Sequence, residues 1–370
     1  IAPRAEGIIL FPQPGKGVVN GKQIYRTFPV NLTQPITAWG LIGAGIRAYD
    51  HMDGVGNRYG VHTVILEVDG EEVFRSVVDR FAYEENRYIN SWTHGQYMKS
   101  FIEPGNRLRM LHASNGNRGL VEINEERPYR FVYTLSDALG NTSKVRFTVQ
   151  GKNTEIHPVE HREKYAFKWD RTNYLQEPGL ELVVPRGMLY DDVWLDYSVR
   201  ADSGDVAFTY QLHNKRVPLH GACEMRIGLR RDRLEDKSKY YVAGVTARGG
   251  KYSIGGTYED GFMKVRIRDL GTYTVAVDTV PPEIIPLNPG QWGRTGRITL
   301  KAKDKETGIN SYRGTIDGKY ALFGKPNSIS GNLVCELDPK HVKKGGRHTV
   351  EMTVTDGRGN RTTEEFHFVW

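Results

Sequence analysis

Hydrophobic residues alternate with polar residues along much of the chain. Near the amino end, Val64, Leu66 and Val68 follow this pattern up to Asp69-Gly70, and apolar residues resume at Val73-Phe74. A period of two is typical of strands with one buried face, and Asp-Gly between two such runs favours a hairpin turn. The pattern therefore predicts antiparallel β-sheets.

A second hairpin is predicted around the loop Asp137 to Asn141. An Asp-x-x-Gly-Asn loop fits a type I turn followed by Gly in the left-handed region, with the Asp side chain accepting hydrogen bonds from turn amides. The alternating residues that flank this loop are Phe131, Tyr133 and Leu135 on one side and Val145, Phe147 and Val149 on the other.

This pattern occurs twice, once near each end of the chain. In each copy, ten residues separate the Gly of a Gly-Val/Ile pair from the Gly of an Asp-Gly pair. The shared positions are strand and turn residues without a nucleophile or ligand cluster, which indicates repeated architecture rather than repeated chemistry. The matched segments are Ala48-Tyr49-Asp50 with Ala302-Lys303-Asp304, Gly60-Val61 with Gly308-Ile309, Asp69-Gly70 with Asp317-Gly318, and Asp137 to Asn141 with Asp356 to Asn360.

Three domains are predicted, with boundaries after residues 152 and 281. The first boundary falls in a polar stretch at 151–164, and the second lies at Pro281-Pro282, which can continue neither a helix nor a central strand. Residues 153–281 alternate as strands, and residues 282–370 have about the length of a seven-stranded sandwich. The predicted fold class is all-β, with tandem antiparallel immunoglobulin-like β-sandwiches of which the first and third are related.

Charge and composition exclude several classes of protein. The formal net charge is +7, but the basic residues are scattered, which argues against nucleic-acid binding and favours contact with an anionic envelope or glycan layer. No apolar run reaches membrane-spanning length, so a soluble chain without a membrane span is expected. Cys223 and Cys335 fall in different predicted domains, so each is expected to be a buried free thiol. Because the chain starts at Ile1 without Met or a signal peptide, we expect a processed product or part of a larger protein.

Two segments are candidate binding sites. Trp92, His94 and Tyr97 lie in and beside a polar stretch that would suit contact with a glycan or a partner, although core packing of the indole is the competing interpretation. Residues 50–57 place carboxylates and an amide on a glycine-rich loop that could hold calcium, although the loop lacks the distal Glu of an EF-hand and an ordinary surface turn also fits.

Several segments resemble the region that follows the catalytic domain in lysostaphin/LytM-type zinc endopeptidases of Gram-negative envelopes. The resemblance extends over the whole chain and is densest before residue 150. It is carried by Glu6 to Gly15, Ala38-Trp39-Gly40, Gly45 to Asp50, Tyr59-Gly60-Val61, Asp79-Arg80-Phe81, Met98 to Phe101 and Pro104 to Arg107. It implies cell-wall peptide cleavage by the parent protein, with zinc in a peptidase domain that is not part of this sequence.

The sequence itself carries no zinc-peptidase motif. That site needs His-x-x-x-Asp and His-x-His so that three ligands converge on the metal, and neither motif occurs here. His157 and His161 are the nearest approach, but Pro158 argues against a rigid helical pair. There is also no Gly-x-Ser-x-Gly nucleophile elbow. We therefore predict a chain without catalytic residues, cofactor or metal of its own.

Two functions are compatible with these features. In the first, the chain is the noncatalytic accessory region of a peptidoglycan endopeptidase, and it positions or regulates the peptidase domain and contacts peptidoglycan or envelope proteins. In the second, it is an independent surface adhesin or carbohydrate-binding β-sandwich array. Both place the chain in the cell envelope, in the periplasm or associated with the outer membrane. The sequence resemblance favours the first, and exposure of Trp92 and its neighbours would favour the second.

Overall fold

The computed structural model describes residues 1–201, 206–327 and 330–370. Strands make up 52% of the chain and helices 5%, which confirms the predicted all-β class with several sheets. The chain forms two compact units, one of residues 1–173, 185–194 and 218–221, and the other of residues 174–184, 195–217 and 222–370. The division into three domains at 152 and 281 stays a prediction.

Twelve strands form one hydrogen-bonded sheet in the first unit, in the order β2-β1-β3-β12-β11-β5-β6-β9, with β4, β8 and β10 paired to β3 and β7 paired to β8. Their bounds are β1 Arg4–Val19, β2 Arg26–Phe28, β3 Ile36–His51, β4 Arg58–Tyr59, β5 Thr63–Val68, β6 Glu71–Val77, β7 Thr93–His94, β8 Tyr97–Lys99, β9 Leu111–Ala113, β10 Val121–Ile123, β11 Pro128–Ser136 and β12 Thr142–Gly151.

The long strand β3 connects the two parts of this sheet. It runs antiparallel to β1 and parallel to the end of β12, where Val149 lies opposite Ile36. The inward side chains of β1, β3, β5, β11 and β12 form a single core, as the alternation predicts. The helical segments of this unit are short, namely a 3-10 helix at Tyr83–Tyr88 and α1 at Ile89–Trp92.

The middle of the chain contains two five-stranded sheets, ordered β14-β15-β19-β23-β22 and β17-β18-β24-β20-β21, and a separate pair of β13 with β16. A 3-10 helix at Lys237–Lys239 precedes β20. The strand bounds are β13 Tyr165–Phe167, β14 Asn173–Glu177, β15 Leu180–Val184, β16 Val193–Leu195, β17 Ser198–Arg200, β18 Thr209–Gln211, β19 Val217–Gly228, β20 Tyr240–Val245, β21 Lys251–Gly255, β22 Thr257–Glu259, β23 Phe262–Leu270 and β24 Thr272–Val277.

The carboxyl-terminal strands form the predicted seven-stranded sandwich, with sheets ordered β25-β26-β29 and β28-β27-β30-β31 around their own core. A 3-10 helix at Pro289–Gln291 leads into α2 at Trp292–Thr295. The strand bounds are β25 Glu283–Pro286, β26 Arg297–Lys303, β27 Ile309–Ile316, β28 Lys319–Ala321, β29 Asn332–Glu336, β30 Arg347–Asp356 and β31 Arg361–Val369.

Both copies of the repeated pattern form the predicted hairpins. Asp69-Gly70 joins β5 to β6 and Asp317-Gly318 joins β27 to β28, with positive φ at all four residues, as a type I′ turn requires. In the longer loops, the carboxylate of Asp137 accepts from the amides of Leu139 and Asn141, and Asp356 accepts in the same way from Arg358 and Asn360. The prediction that Asp caps the turn is therefore confirmed in both copies.

Candidate functional site

Trp92, His94 and Tyr97 occupy two different environments. Trp92 ends α1, is only 6% exposed and donates from Nε1 to the carbonyl of Lys99 at 3.1 Å. Its indole belongs to the core and offers no ring face to a ligand, so the competing interpretation of core packing describes it. His94 and Tyr97 face each other in the β7–β8 hairpin and are half-buried. A contact role for these two residues stays a prediction.

His94 belongs to an aromatic cluster that we define as Phe11, Tyr25, His94 and Phe101. The His94 ring centroid lies 4.6 Å from that of Tyr25 and 5.4 Å from that of Phe11, in edge-to-face arrangements. Phe11 also contacts Phe101, with centroids 5.5 Å apart. Phe101 is buried, whereas Tyr25 is 52% exposed. The cluster therefore joins the protein interior to a tyrosine ring at the surface.

The strand geometry of β1 and β3 explains why this cluster forms. Ile8 and Leu10 point into the core, so Phe11 points to the opposite face of the sheet. Phe11 is paired with Gly43, and a Cβ at Gly43 would lie 2.5 Å from the ring of Phe101. The absence of a side chain at residue 43 thus lets Phe101 pack flat on the sheet, next to Phe11.

Ser100 fixes the segment that carries these rings. Its amide donates to the carbonyl of Ala44 at 2.7 Å, and its hydroxyl lies 2.8 Å from that of Tyr133 in the core. Burial raises the pKa of Tyr133, so this phenol stays neutral and can take part in the hydrogen bond. The β7–β8 hairpin is thereby attached to both β3 and β11.

A polar rim lies next to the aromatic cluster and consists of Glu6, Arg47, Gln96 and Tyr97. The guanidinium carbon of Arg47 lies 5.7 Å from the Tyr97 ring centroid, and Nη1 donates to Oε1 of the exposed Gln96 at 3.5 Å. Nε of Arg47 lies 3.3 Å from the carboxylate of Glu6. These contacts hold an arginine and an amide beside the half-buried Tyr97 ring, a combination that can both stack on a ligand and form hydrogen bonds with it.

The sequence did not single out Tyr25, Phe11 or Arg47 as site residues. Phe11 had a recognisable signal, since it is a large apolar residue at an outward position of a strand, but only the pairing with Gly43 shows what it contacts. Tyr25 lies just before the short edge strand β2, where a single aromatic residue carries no pattern. From the sequence, Arg47 is predicted to be an ordinary exposed strand residue. Its contacts depend on the pairing of β8 with β3, which only the structure shows.

Three carboxylates in the second unit form the one group of metal-type ligands found among residues 1–201, 206–327 and 330–370. Asp278, Asp304 and Asp356 each place an oxygen within 4.8 Å of the others. Asp278 and Asp356 are almost fully buried, and burial together with the neighbouring carboxylates raises the pKa of Asp278. All three accept hydrogen bonds from the protein, including those from Thr307 and Asn360. These hydrogen bonds connect the segment after β24, the loop after β26 and the β30–β31 loop, and we call this group the carboxylate junction.

The loop 50–57 does not form a comparable group in the part of the chain that the structure describes. Oδ1 of Asp50 accepts from the His51 amide at 2.8 Å, and Nδ1 of His51 lies 2.9 Å from the carbonyl oxygen of Asn57. Asp53 is exposed. These contacts are compatible with an ordinary surface turn, and calcium binding by this loop stays a prediction.

His157 and His161 contact different residues. His157 lies 3.5 Å from Glu155, whereas the ring of His161 stacks on Trp194 with centroids 3.7 Å apart. Cys223 and Cys335 are free and buried, as expected from the sequence. Burial raises the pKa of each thiol to about 11, so neither is an activated nucleophile.

Comparison with known proteins adds information on the middle of the chain. The model of the Zu5-like domain matches residues 164–278, which include both five-stranded sheets up to the end of β24. No curated protein matches the sequence. None of the helices among the described residues has the length and apolar composition needed to cross a bilayer.

Solved structures with detectable similarity share little sequence with this chain. SGBP-B of the Bacteroides ovatus mixed-linkage glucan utilization locus, in complex with a heptasaccharide, is 11% identical over 91% of this chain and 63% of its own, with a TM-score of 0.15. An ice-binding adhesin of an Antarctic bacterium is 10% identical over 99% of this chain and 89% of its own, with a TM-score of 0.17. Protocadherin Gamma B2 domains 3–6 are 11% identical over 100% of this chain and 76% of their own, with a TM-score of 0.19. At these TM-scores the structures support no transfer of ligand or partner. The chain also spans less than two thirds of the SGBP-B structure.

Proposed function

We propose that this chain is a noncatalytic binding array of a cell-surface or envelope protein, and that its first unit binds carbohydrate. The binding surface consists of the exposed face of Tyr25 with His94, flanked by Arg47, Gln96 and Tyr97. The observation that carries the proposal is the 52% exposed Tyr25 ring, held edge-to-face against His94 at 4.6 Å. A tyrosine in this position is ordered before a ligand arrives, which reduces the entropy lost on binding.

The chemistry of this surface matches that of a sugar. A pyranose ring has an apolar C–H face and an edge of hydroxyl groups. The tyrosine ring covers the first, and the guanidinium of Arg47 and the amide of Gln96 provide donors and an acceptor for the second. Burial of roughly 60 Å² of apolar Tyr25 surface would contribute roughly 1.5 kcal/mol at about 25 cal/mol per Å². Each sugar contact of this kind therefore changes the affinity by roughly tenfold.

A glycan-array screen followed by calorimetry on the best ligand tests this proposal. We expect Tyr25→Ala to weaken binding roughly tenfold and Arg47→Gln to weaken it to a similar degree. Tyr83→Ala is the matched control, because Tyr83 is 91% exposed in the same unit and lies outside the aromatic cluster. Equal affinities of the Tyr25→Ala and Tyr83→Ala variants, or no binding to any glycan, would contradict the proposal.

The accessory region of a LytM-type zinc endopeptidase is a second proposal and rests on the sequence resemblance alone. It makes peptidoglycan the ligand and a peptidase domain the partner. Sedimentation with purified sacculi distinguishes the two proposals, since a peptidoglycan-binding region co-sediments and a module specific for other glycans does not. The same incubation, followed by analysis of released muropeptides, tests whether the chain is noncatalytic.

A further inference from the structure

A polar cavity of about 660 Å³ lies in the Zu5-like region, at the face and end of the sheet β17-β18-β24-β20-β21. Uncharged hydrogen-bonding side chains from neighbouring strands and from the loops after β18 and β20 line much of it. They are Ser198, Thr209, Gln211, Asn214, Thr246 and Thr272. Cross-strand pairing of Ser198 with Gln211, and of Gln211 with Thr272, places three of them in one row.

The charged residues that line this cavity are basic. Arg200 is exposed on β17, and Arg216 follows β18 on a loop with His213. The described lining residues include no Asp or Glu. Asp269 lies behind Arg216, where its Oδ2 accepts from Nη2 at 2.6 Å and orients the guanidinium. Because a guanidinium carries five N–H donors, this bond leaves the group able to bind an anion.

Tyr252 borders the cavity at its end, beside Arg216. Tyr252 is 38% exposed, and its ring centroid lies 6.0 Å from the guanidinium carbon of Arg216. The ring lies flat against β20 because its cross-strand partner is Gly244, where any Cβ would overlap the phenol. The cavity therefore combines cationic groups, uncharged hydrogen-bonding groups and one supported aromatic ring.

We propose that this cavity binds a saccharide that carries a carboxylate, such as a uronic acid. Arg200, which shares a face of the sheet with Ser198 and Gln211, pairs with the carboxylate, and the hydroxyl and amide side chains bind the sugar hydroxyls. Arg216 is a second cationic group at the end of the cavity. A small inorganic anion would use the arginines but not the other lining groups, and a neutral sugar would leave Arg200 without an anionic ligand. The site is distinct from the aromatic surface of the first unit and does not depend on it.

Calorimetry of the full chain with trigalacturonate tests the proposal, with its methyl ester and inorganic phosphate as comparison ligands. We expect the acid to bind at least tenfold more tightly than the ester or phosphate, and Arg200→Gln to reduce its affinity roughly tenfold. Arg146→Gln is the matched control, since it removes the same charge from an exposed strand residue of the other unit. Tyr25→Ala should leave this binding unchanged.

Three results would overturn the proposal. Equal binding of the acid and its ester would show that the carboxylate is not recognised. Phosphate competing as well as the trisaccharide would reduce the site to a general anion site. Equal losses of affinity in Arg200→Gln and Arg146→Gln would show that the ligand binds elsewhere or responds only to net charge. Circular dichroism of both variants checks that each protein is folded.

Discussion

The loops Asp137 to Asn141 and Asp356 to Asn360 have the same local structure and different surroundings. In both, the Asp side chain accepts from two turn amides, and the Asn side chain donates to the second carboxylate oxygen at 2.7 Å. Asn141 is exposed, whereas Asn360 is 7% exposed and also donates to the carbonyl of Asp278 at 3.0 Å. The same turn is thus a surface hairpin in one copy and part of a buried junction in the other.

The two copies also differ on the outer face of one strand. In the first copy, Gly43 on β3 leaves space for Phe101 and the aromatic cluster. Aligned on Asp50 and Asp304, the equivalent strand β26 has Arg297 in place of Gly43, and Arg297 forms a salt bridge with Glu336 at 3.1 Å. The repeated framework therefore conserves its turns and changes its outer surfaces, and the candidate binding surface belongs to the first copy alone.

The largest expected difference is between Asn360→Ala and Asn141→Ala. Loss of the Asn360 amide leaves a carboxylate oxygen of the fully buried Asp356 and the Asp278 carbonyl without this donor, at a cost of about 1–3 kcal/mol. Water can replace the exposed amide of Asn141, so Asn141→Ala should lower the free energy of unfolding by less than half as much as Asn360→Ala. Urea denaturation of each variant measures the difference. Equal losses in the free energy of unfolding would show that burial of Asn360 beside Asp278 does not add to stability.

A second comparison concerns Gly43→Ala and Gly60→Ala. An added Cβ at residue 43 collides with the Phe101 ring and should cost about 1–3 kcal/mol, whereas the space around Gly60 is open. Thermal unfolding measures the cost, and glycan binding should fall with Gly43→Ala because the Phe101 ring supports Phe11, which in turn contacts His94. Unchanged binding by a folded Gly43→Ala protein would separate the aromatic cluster from the proposed function.

The pH dependence of stability should distinguish Asp278 from Asp137. Burial and two nearby carboxylates raise the pKa of Asp278, so its contribution to the free energy of unfolding increases as the pH falls through that pKa. The bond from Asn141 lowers the pKa of Asp137, although burial opposes this, so its contribution exists above the unfolded pKa of about 4 and is lost in acid.

Urea denaturation between pH 7 and pH 4 tests this contrast. Asp278→Asn should raise the free energy of unfolding most at pH 7, relative to wild type, because there it removes a charge from the cluster of three carboxylates. This gain should shrink towards pH 4. Asp137→Asn should lower the free energy of unfolding most at pH 7, relative to wild type. If both variants showed the same trend with pH, the two sites would not differ in electrostatic environment.

The smallest effects are expected at the Asp-Gly turns. Oδ2 of Asp69 accepts from the partly exposed Arg127 at 2.6 Å, whereas Oδ2 of Asp317 lies 2.7 Å from Nδ1 of the buried His348. Asn tolerates the positive φ of both positions, so Asp→Asn changes only the charge. Asp317→Asn should lower the urea midpoint more than Asp69→Asn, because water solvates the exposed arginine more easily than the buried histidine. The reverse order would show that burial of the partner does not matter here.

Much of the fold was predictable because its signals are local. The alternation of Phe131, Tyr133 and Leu135 and the capping by Asp137 depend on residues a few positions apart. The candidate site was predictable only in part. His94 and Tyr97 were selected as candidates from a polar segment with aromatic residues, and their contact role stays a prediction. The same reasoning included Trp92, whose burial depends on the core it meets.

The sequence by itself determined the all-β class, the hairpin turns and the duplication, because strand periodicity and turn chemistry act over two to five residues. Only the tertiary structure decided which side chains meet at a distance. Phe11, Tyr25 and His94 come together because Gly43 lets a later segment lie on β3, and Asp278 joins Asp356 because β30 and β31 return to the start of their sandwich. Such contacts depend on the packing of whole strands, which no short pattern of residues contains.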